Sequence, residues 1–225
     1  MINKIPVIAI DGLASSGKTS VSELLSQKLG FYILDSGILY RALAYIFDLN
    51  KHGSANESLI SKITSNIELL PSNNLRYNVL YNNEDITNKL YFEEVGLAAS
   101  EISKNELIRD ALLPIQRDCV KRPGLVANGR DMGTNVFLDA QLKIYFTANL
   151  DVRAKRRYNQ LMKSGSSPVL ENILKSLKER DEKDLNRDVS PLKVAKDAVV
   201  IDSSDLNIES ILDKILELYK ISGVK

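Results

Sequence analysis

Gly12-Leu13-Ala14-Ser15-Ser16-Gly17-Lys18-Thr19 satisfies the spacing G-x-x-x-x-G-K-[ST]. The chemistry of such a loop is anion binding. A tight run of small residues turns several backbone N–H groups toward one point, and the start of a following helix adds partial positive charge there. Lys18 then reaches the β- and γ-phosphates of a nucleotide, and the Thr19 hydroxyl can take part in binding Mg²⁺. A small-residue turn ahead of an ordinary helix would give the same letters. The flanks argue against it: Ile5 to Ile10 reads as a buried strand, and Val21, Leu24, Leu25 and Leu29 fall at helical spacing.

Other polar clusters could serve a second ligand. Asp35-Ser36-Gly37-Ile38-Leu39-Tyr40-Arg41 follows an expected strand at the edge where open α/β sheets bind ligands. Taken alone, Ser36 is a helix cap and Arg41 a solvated arginine. Asn128-Gly129-Arg130-Asp131-Met132-Gly133-Thr134 follows another strand at the same edge, with glycines that let backbone approach a ligand. A self-satisfied Arg–Asp pair is the plain alternative there. Arg153, Arg156 and Arg157 share one helical face, and so do Arg180, Asp184 and Arg187 if that helix persists far enough. Such faces are often merely solvated. Beside a phosphate loop they suit a flap that closes over a transferring phosphoryl group, where fixed charge and bidentate contacts are needed.

The elements that must position these residues alternate. Strands are expected at 5–10, 31–34, 125–127, 142–146 and 198–201, and helices from 18 and at 36–47, 92–101, 106–120, 151–162, 169–183 and 208–221. Short strands at 67–70, 75–80 and 84–86, separated by Pro71-Ser72-Asn73-Asn74 and Asn82-Asn83, read as a small antiparallel insert over roughly 60–90. The fold class expected is α/β, a three-layer core with a parallel sheet. Residues 163–168 are the most linker-like stretch.

Composition narrows the function. The 225 residues are 44% hydrophobic and 26% charged, with net charge +1. That balance excludes a whole-molecule pull toward nucleic acid. The single cysteine, Cys119, rules out an internal disulfide or a cysteine-paired zinc. The lone histidine, His52, lies outside every motif and receives no role. Met1 to Pro6 lacks the apolar core of a signal peptide, and no apolar run is long enough for a bilayer. A cytoplasmic monomer with no nucleic-acid or membrane partner is expected. Asn88-Lys89-Leu90-Tyr91 starts like a guanine-reading motif but lacks its Asp, and Leu142 to Phe146 lacks the acidic end of a motor ATPase strand. A small-molecule kinase remains.

Five stretches then carry a resemblance. Ile8-Ala9-Ile10-Asp11-Gly12, Leu34-Asp35-Ser36-Gly37 with Tyr40-Arg41, Gly129 to Thr134, Lys178-Glu179-Arg180-Asp181, and Asn186-Arg187 with Ser190-Pro191-Leu192 resemble the bacterial cytidylate kinases along nearly the whole chain. The resemblance implies a P-loop core (1–40, 121–150 and 185–225), a nucleoside-monophosphate-binding region (41–120) holding the antiparallel insert, and a helical lid (151–184). It implies transfer of a phosphoryl group from ATP, with Mg²⁺, to CMP and dCMP. By position, Gly12 to Ser20 with Arg153 and Arg157 would hold ATP. Arg41, Arg130 and Ser36 would hold the acceptor phosphate. Ser100, Arg109 and Asp131 would read cytosine, Arg180 and Asp184 the ribose, and Arg187 would approach the phosphates. Lys18, Arg130, Arg157 and Arg187 would be catalytic. The chain departs from the family pattern at Leu13, where Pro is more frequent, inside the loop, where the family more often has another Gly, at Thr19, where Gly is frequent, and at Asn128, where Asp or Glu is usual. The metal's hydroxyl ligand is therefore open between Thr19 and Ser20. Kinases of UMP or shikimate, and an ATP-dependent regulatory module, are the alternatives.

Overall fold

All six residues of strand β1 (Val7–Gly12) are buried, as in a strand covered on both faces. The computed structural model describes residues 4–49, 56–163 and 165–222; His52, the first three residues of the opening segment and Ser164 of the linker lie outside them. In chain order, β1 is followed by helix α1 (Lys18–Leu29), β2 (Tyr32–Asp35), α2 (Gly37–Leu49), α3 (Glu57–Thr64), β3 (Ile67–Pro71), β4 (Tyr77–Tyr81), β5 (Glu84–Asp85), α4 (Glu93–Ile102) and α5 (Glu106–Arg117). Then come β6 (Leu125–Asn128), β7 (Leu142–Thr147), α6 (Leu150–Lys163), α7 (Leu170–Asn186), β8 (Val199–Asp202) and α8 (Ile208–Ile221).

The main sheet runs β2-β6-β1-β7-β8, with every neighbouring pair parallel. The chain leaves β1 for β2 on one side and later crosses to β7 on the other. The loops after β1 and β6 therefore meet where the strand order reverses, which is where such sheets open a crevice. On one face Ile8, Ile10, Val126 and Phe146 pack against Val21 and Leu25 of α1 and Ile211 and Ile215 of α8. On the other, Val7, Ala9, Leu125 and Ala127 pack against Met132, Val136, Phe137 and Tyr77. This is the three-layer α/β class expected, and β3-β4-β5 form the antiparallel insert.

The acceptor-side region has its own core, in which Leu39, Leu43 and Ile46 of α2 meet Ile60, Ile63, Val79, Ile108 and Leu112. The insert is joined to the main sheet. The Ile33 N–H donates to Leu75 O at 2.8 Å, Ile33 bridges to Arg76 in parallel, and Arg76 pairs with Glu23 of α1. α6 and α7 form a separate pair in which Ala154, Ile173 and Leu177 close over Ala14.

Most element ends, β1 included, lie one or two residues from the sequence expectation, and four differences stand out. Helix α3 was not anticipated, although Asn56 caps it by accepting from the Leu59 N–H and Ile60 and Ile63 face inward. β4 starts at Tyr77 because Leu75 takes a positive φ of 65° in the turn closed by Ser72. α5 stops at Arg117 rather than Val120. α7 stops at Asn186, so Arg187 is extended and shares no helical face with Arg180 and Asp184. Among the described residues no helix is long and apolar enough to cross a membrane.

Candidate active site

The loop after β1 is shaped by its neighbours. Gly12 has φ +147°, and a Cβ there would collide with the Phe146 carbonyl oxygen of β7. Glycine is required because two backbones approach that closely. The Leu13 N–H donates to Phe146 O at 3.2 Å, and Gly17 at φ 92° turns the chain into α1. Ser15 also holds a positive φ, 58°, a strained setting of the kind that gathers at functional loops. Ser16 is buried, and its hydroxyl donates to Leu13 O at 2.9 Å.

Lys18 is buried, and its Nζ donates to Leu13 O at 2.9 Å. Burial pushes its pKa well below the ordinary lysine value, and the positive charges of Arg130 and Arg180 push the same way against Asp35 and Asp184. Lys18 therefore stands in a field of like charge, which anionic phosphates would relieve. Thr19 and Ser20 are both exposed. The Asn128 amide, buried at the end of β6, donates to Thr19 Oγ1 at 3.1 Å, while its own Oδ1 has no protein partner.

Residues from distant elements converge opposite this loop. Ser36 is buried and its N–H donates to Asn128 O at 2.9 Å. Arg130 donates through Nε to Asp184 Oδ2 at 2.7 Å and through Nη1 to Gly129 O at 3.2 Å. Burial works to raise the Asp184 pKa, but Arg130, Arg180 and Arg187 hold it below the usual carboxylate value. Arg180 keeps solvent access at the residue level. Its guanidinium pKa is lowered by the protein around it and then by Arg130. Arg109 and Asp131, both almost fully buried, form an ion pair. Arg109 also donates to Ser103 O at 3.1 Å and lies 5.5 Å from the centroid of the Tyr40 ring. Burial, opposed by Arg109, pushes the Tyr40 hydroxyl up to about 12. Arg187 comes within 4.0 Å of Asp131, leaving its buried Nη2 without a hydrogen-bond partner.

Some expected residues sit elsewhere. Arg41 donates to Leu90 O at 2.9 Å and to Phe92 O at 3.2 Å, tying α2 to the turn before α4. Its charge still reaches Arg180. Ser100 is half-buried on α4; the Ser103 hydroxyl donates to its carbonyl, and Arg109 donates to the Ser103 carbonyl. The three arginines of α6 divide. Arg153 is buried, pairs with Asp181 at 2.6 Å and donates to Ala14 O at 3.2 Å. Arg156 reaches Ser16 O at 3.4 Å and Ser203 O at 2.6 Å. Arg157, half-buried, bonds along its own helix to Gln160 at 3.1 Å, and its charge reaches Arg180. Two supports received no site role from sequence. Arg156 had a signal in its i+3 spacing from Arg153. Asp181 had only its place beside Arg180.

Two charged surfaces thus meet at one crevice: a backbone loop with a buried lysine, and an arginine–aspartate site drawn from separate elements. A family model described as cytidylate kinase matches residues 8–221, which hold both surfaces. The chain belongs to the cytidylate kinase family. A cytidylate kinase from Pseudomonas savastanoi pv. phaseolicola is 42% identical over 98% of each chain, and one from Caldicellulosiruptor saccharolyticus is 41% identical over 96% of each. A solved shikimate kinase from Acinetobacter baumannii overlaps with a TM-score of 0.48 at 17% identity, covering 99% of this chain and 97% of that one. Overlap that loose supports no inference. A cytidylate kinase must set two phosphate-bearing nucleotides end to end, and paired cationic surfaces around one crevice meet that demand.

Proposed function

We propose that this cytidylate kinase transfers the γ-phosphoryl group of ATP to CMP or dCMP by in-line displacement. A phosphate oxygen of CMP attacks the γ-phosphorus, the bond to the bridging oxygen breaks, and ADP leaves with that electron pair. A phosphate dianion is already nucleophilic, so no side chain need act as a strong base. The observation that carries the reading is the shared field of Lys18, Arg130 and Arg180 at the junction of the two loops. Charge spreads over the transferring group in the transition state, and prepositioned cations stabilise it more than they stabilise either substrate.

The residue roles proposed here are those that the family resemblance implies by position, together with the contacts described above. Gly12 to Ser20 cradle the ATP phosphates. Arg153 and Arg156 buttress that loop through its carbonyls, and Arg157 is the lid arginine free to swing inward. Ser36, Arg41 and Arg130 take the acceptor phosphate. Asp131 accepts from the exocyclic amine of cytosine, while Arg109 and Ser100 donate to the ring acceptors. Asp184 and Arg180 meet the ribose hydroxyls, and Arg187 adds charge beside the phosphates.

The residues at the loop also fit a Mg²⁺ ion. Thr19 Oγ1 and the unpartnered Asn128 Oδ1 are hard, neutral oxygens, as that ion prefers. The ion would neutralise charge on the nucleotide phosphates. We assign 1–40, 121–150 and 185–225 to the core, 41–120 to the acceptor region and 151–184 to the lid. The protein acts as a monomer in the cytoplasm.

The test is ADP release from Mg²⁺-ATP with each nucleoside monophosphate offered in turn, for wild type and Asp131→Ala, with melting curves for both. Fast turnover on CMP and dCMP, slow turnover on UMP, and loss of that preference in a folded Asp131→Ala protein are expected. ADP release that no monophosphate stimulates would sink the reading.

A further inference from the structure

Asp11 is a buried carboxylate one residue before the phosphate loop, and it touches neither expected ligand. Its Oδ1 accepts from the Met132 N–H and its Oδ2 from the Gly133 N–H, each at 2.8 Å. Those two amides open the short π-helical turn at Met132–Val136. The first N–H groups of any helical turn lack partners within it. Here a side chain from the neighbouring strand supplies both.

The chain between the strands is pinned at two points. The Gly129 N–H donates to Ile10 O at 2.9 Å, and Asp11 grips Met132 and Gly133. Only Arg130 and Asp131 lie between those anchors. Asp131 takes an irregular backbone conformation, φ −146° and ψ 25°, and its carbonyl accepts from Asn135 and Val136. Its carboxylate meets Arg109 and Arg187 from other elements. Gly133 is packed closely: a Cβ there would come within 3.1 Å of Lys143 Cδ and 3.5 Å of Asp11 Oδ2.

We propose that Asp11 is a positioning residue that ties the donor loop to the acceptor loop and sets cytosine selectivity by fixing Asp131. This inference rests on the reading of Asp131 as the cytosine acceptor. Two charge-assisted bonds to consecutive amides hold the turn at one angle. A bidentate grip is the feature an amide cannot copy, because one oxygen becomes an NH₂ group facing an N–H.

Asp11→Asn is therefore the probe, with kcat and KM measured for CMP, UMP and ATP beside the melting curve. The CMP-over-UMP ratio of kcat/KM should fall about tenfold. KM for ATP should stay within about twofold, since the ATP-side contacts are untouched. An unchanged ratio in a folded protein overturns the proposal. So does an equal loss for ATP and CMP, which marks a general structural role. If Asp11→Asn does not fold, Gly133→Ala decides. Its methyl group presses on Lys143 and shifts the same turn, so it must lower the ratio, and no change counts against the proposal. Asp131→Ala separates the two claims. If it abolishes the preference while Asp11→Asn does not, the Asp11 role fails and the base site stands. If Asp131→Ala keeps the preference, both fall.

Discussion

The donor loop and the acceptor site face each other across one crevice but are assembled differently. Gly12 to Thr19 are consecutive, and their shape comes from backbone bonds to Phe146 and within the loop. Arg153 and Arg156 brace that loop from behind through its carbonyls. The acceptor side gathers Arg109 from α5, Asp131 from the turn after β6, Asp184 from α7 and Arg187 from the segment beyond it. Those residues hold each other by charge. A loop of neighbours can lose a side chain and keep its shape. A cluster of opposed buried charges cannot, because each loss strands a partner.

The largest effect that would sharpen this contrast is at Lys18. Lys18→Met should lower kcat about 1000-fold, because transition-state charge loses its nearest cation. The melting temperature should change little, since burial disfavours that ammonium in the fold. Single-turnover ADP formation measures the first and a thermal scan the second. A large loss of stability would break the comparison.

Next is Arg130→Met, which strands Asp184. KM for CMP should rise about 100-fold while KM for ATP changes far less. Steady-state titration of each substrate checks this, and equal changes in both would contradict a divided site.

A third test uses pH. Burial raises the Asp11 pKa from 3.8 to about 6; Asp131 adds to that, whereas the Met132 and Gly133 amides and Lys18 oppose it, and Tyr145 also feels its charge. A raised carboxyl favours the folded state fully below the unfolded value and loses that contribution as pH rises through about 6. The amount is about 3 kcal/mol. Asp184 is lowered, so its contribution is present above its unfolded value and is lost as pH falls. From pH 4 to 7, melting temperatures should rise more steeply in Asp11→Asn than in wild type, and below about pH 4 they should fall less steeply in Asp184→Asn than in wild type. The same slope change in both variants would contradict the opposite signs.

The smallest effect is expected at Arg156→Ala. It removes one brace while Arg153 remains, so KM for ATP should rise about threefold with kcat little changed. A 100-fold loss would mean that Arg156 touches the nucleotide itself.

This contrast also decides what could be read from letters alone. The donor loop was legible because its chemistry is local: strand, glycines, lysine and helix are contiguous. The parallel core was legible for the same reason, as β-branched runs alternating with helical spacing. The acceptor site was not legible from spacing, because the folded chain alone brings Arg109 to Asp131. Arg130, Asp131, Arg180, Asp184 and Arg187 stood out as charged clusters, but their roles, and Ser100 and Arg109 altogether, came from the family resemblance. Helical spacing had also put the α6 arginines on one face, whereas Arg153 turns inward to pair with Asp181 and Arg157 bonds along its own helix to Gln160. Helix α3 was hidden by its eight-residue length, too short for a convincing period. The end of α7 at Asn186, three residues beyond the expected 183, was hidden because the charged run gives no stop signal before Arg187.

The contact between Ile33 and the Leu75–Arg76 turn has a consequence for the life of the protein at high concentration. An outer strand of a sheet normally offers a row of unpaired amides and carbonyls to any other chain. On the β2 side the insert occupies part of that row, so a lengthening in the acceptor region also shields the core from self-association. Among the described residues no strand pairs with the outer side of β8, which is short, four residues ending in Asp202, with Val200 half open to solvent. Crowded or partly melted molecules will stick first along β8.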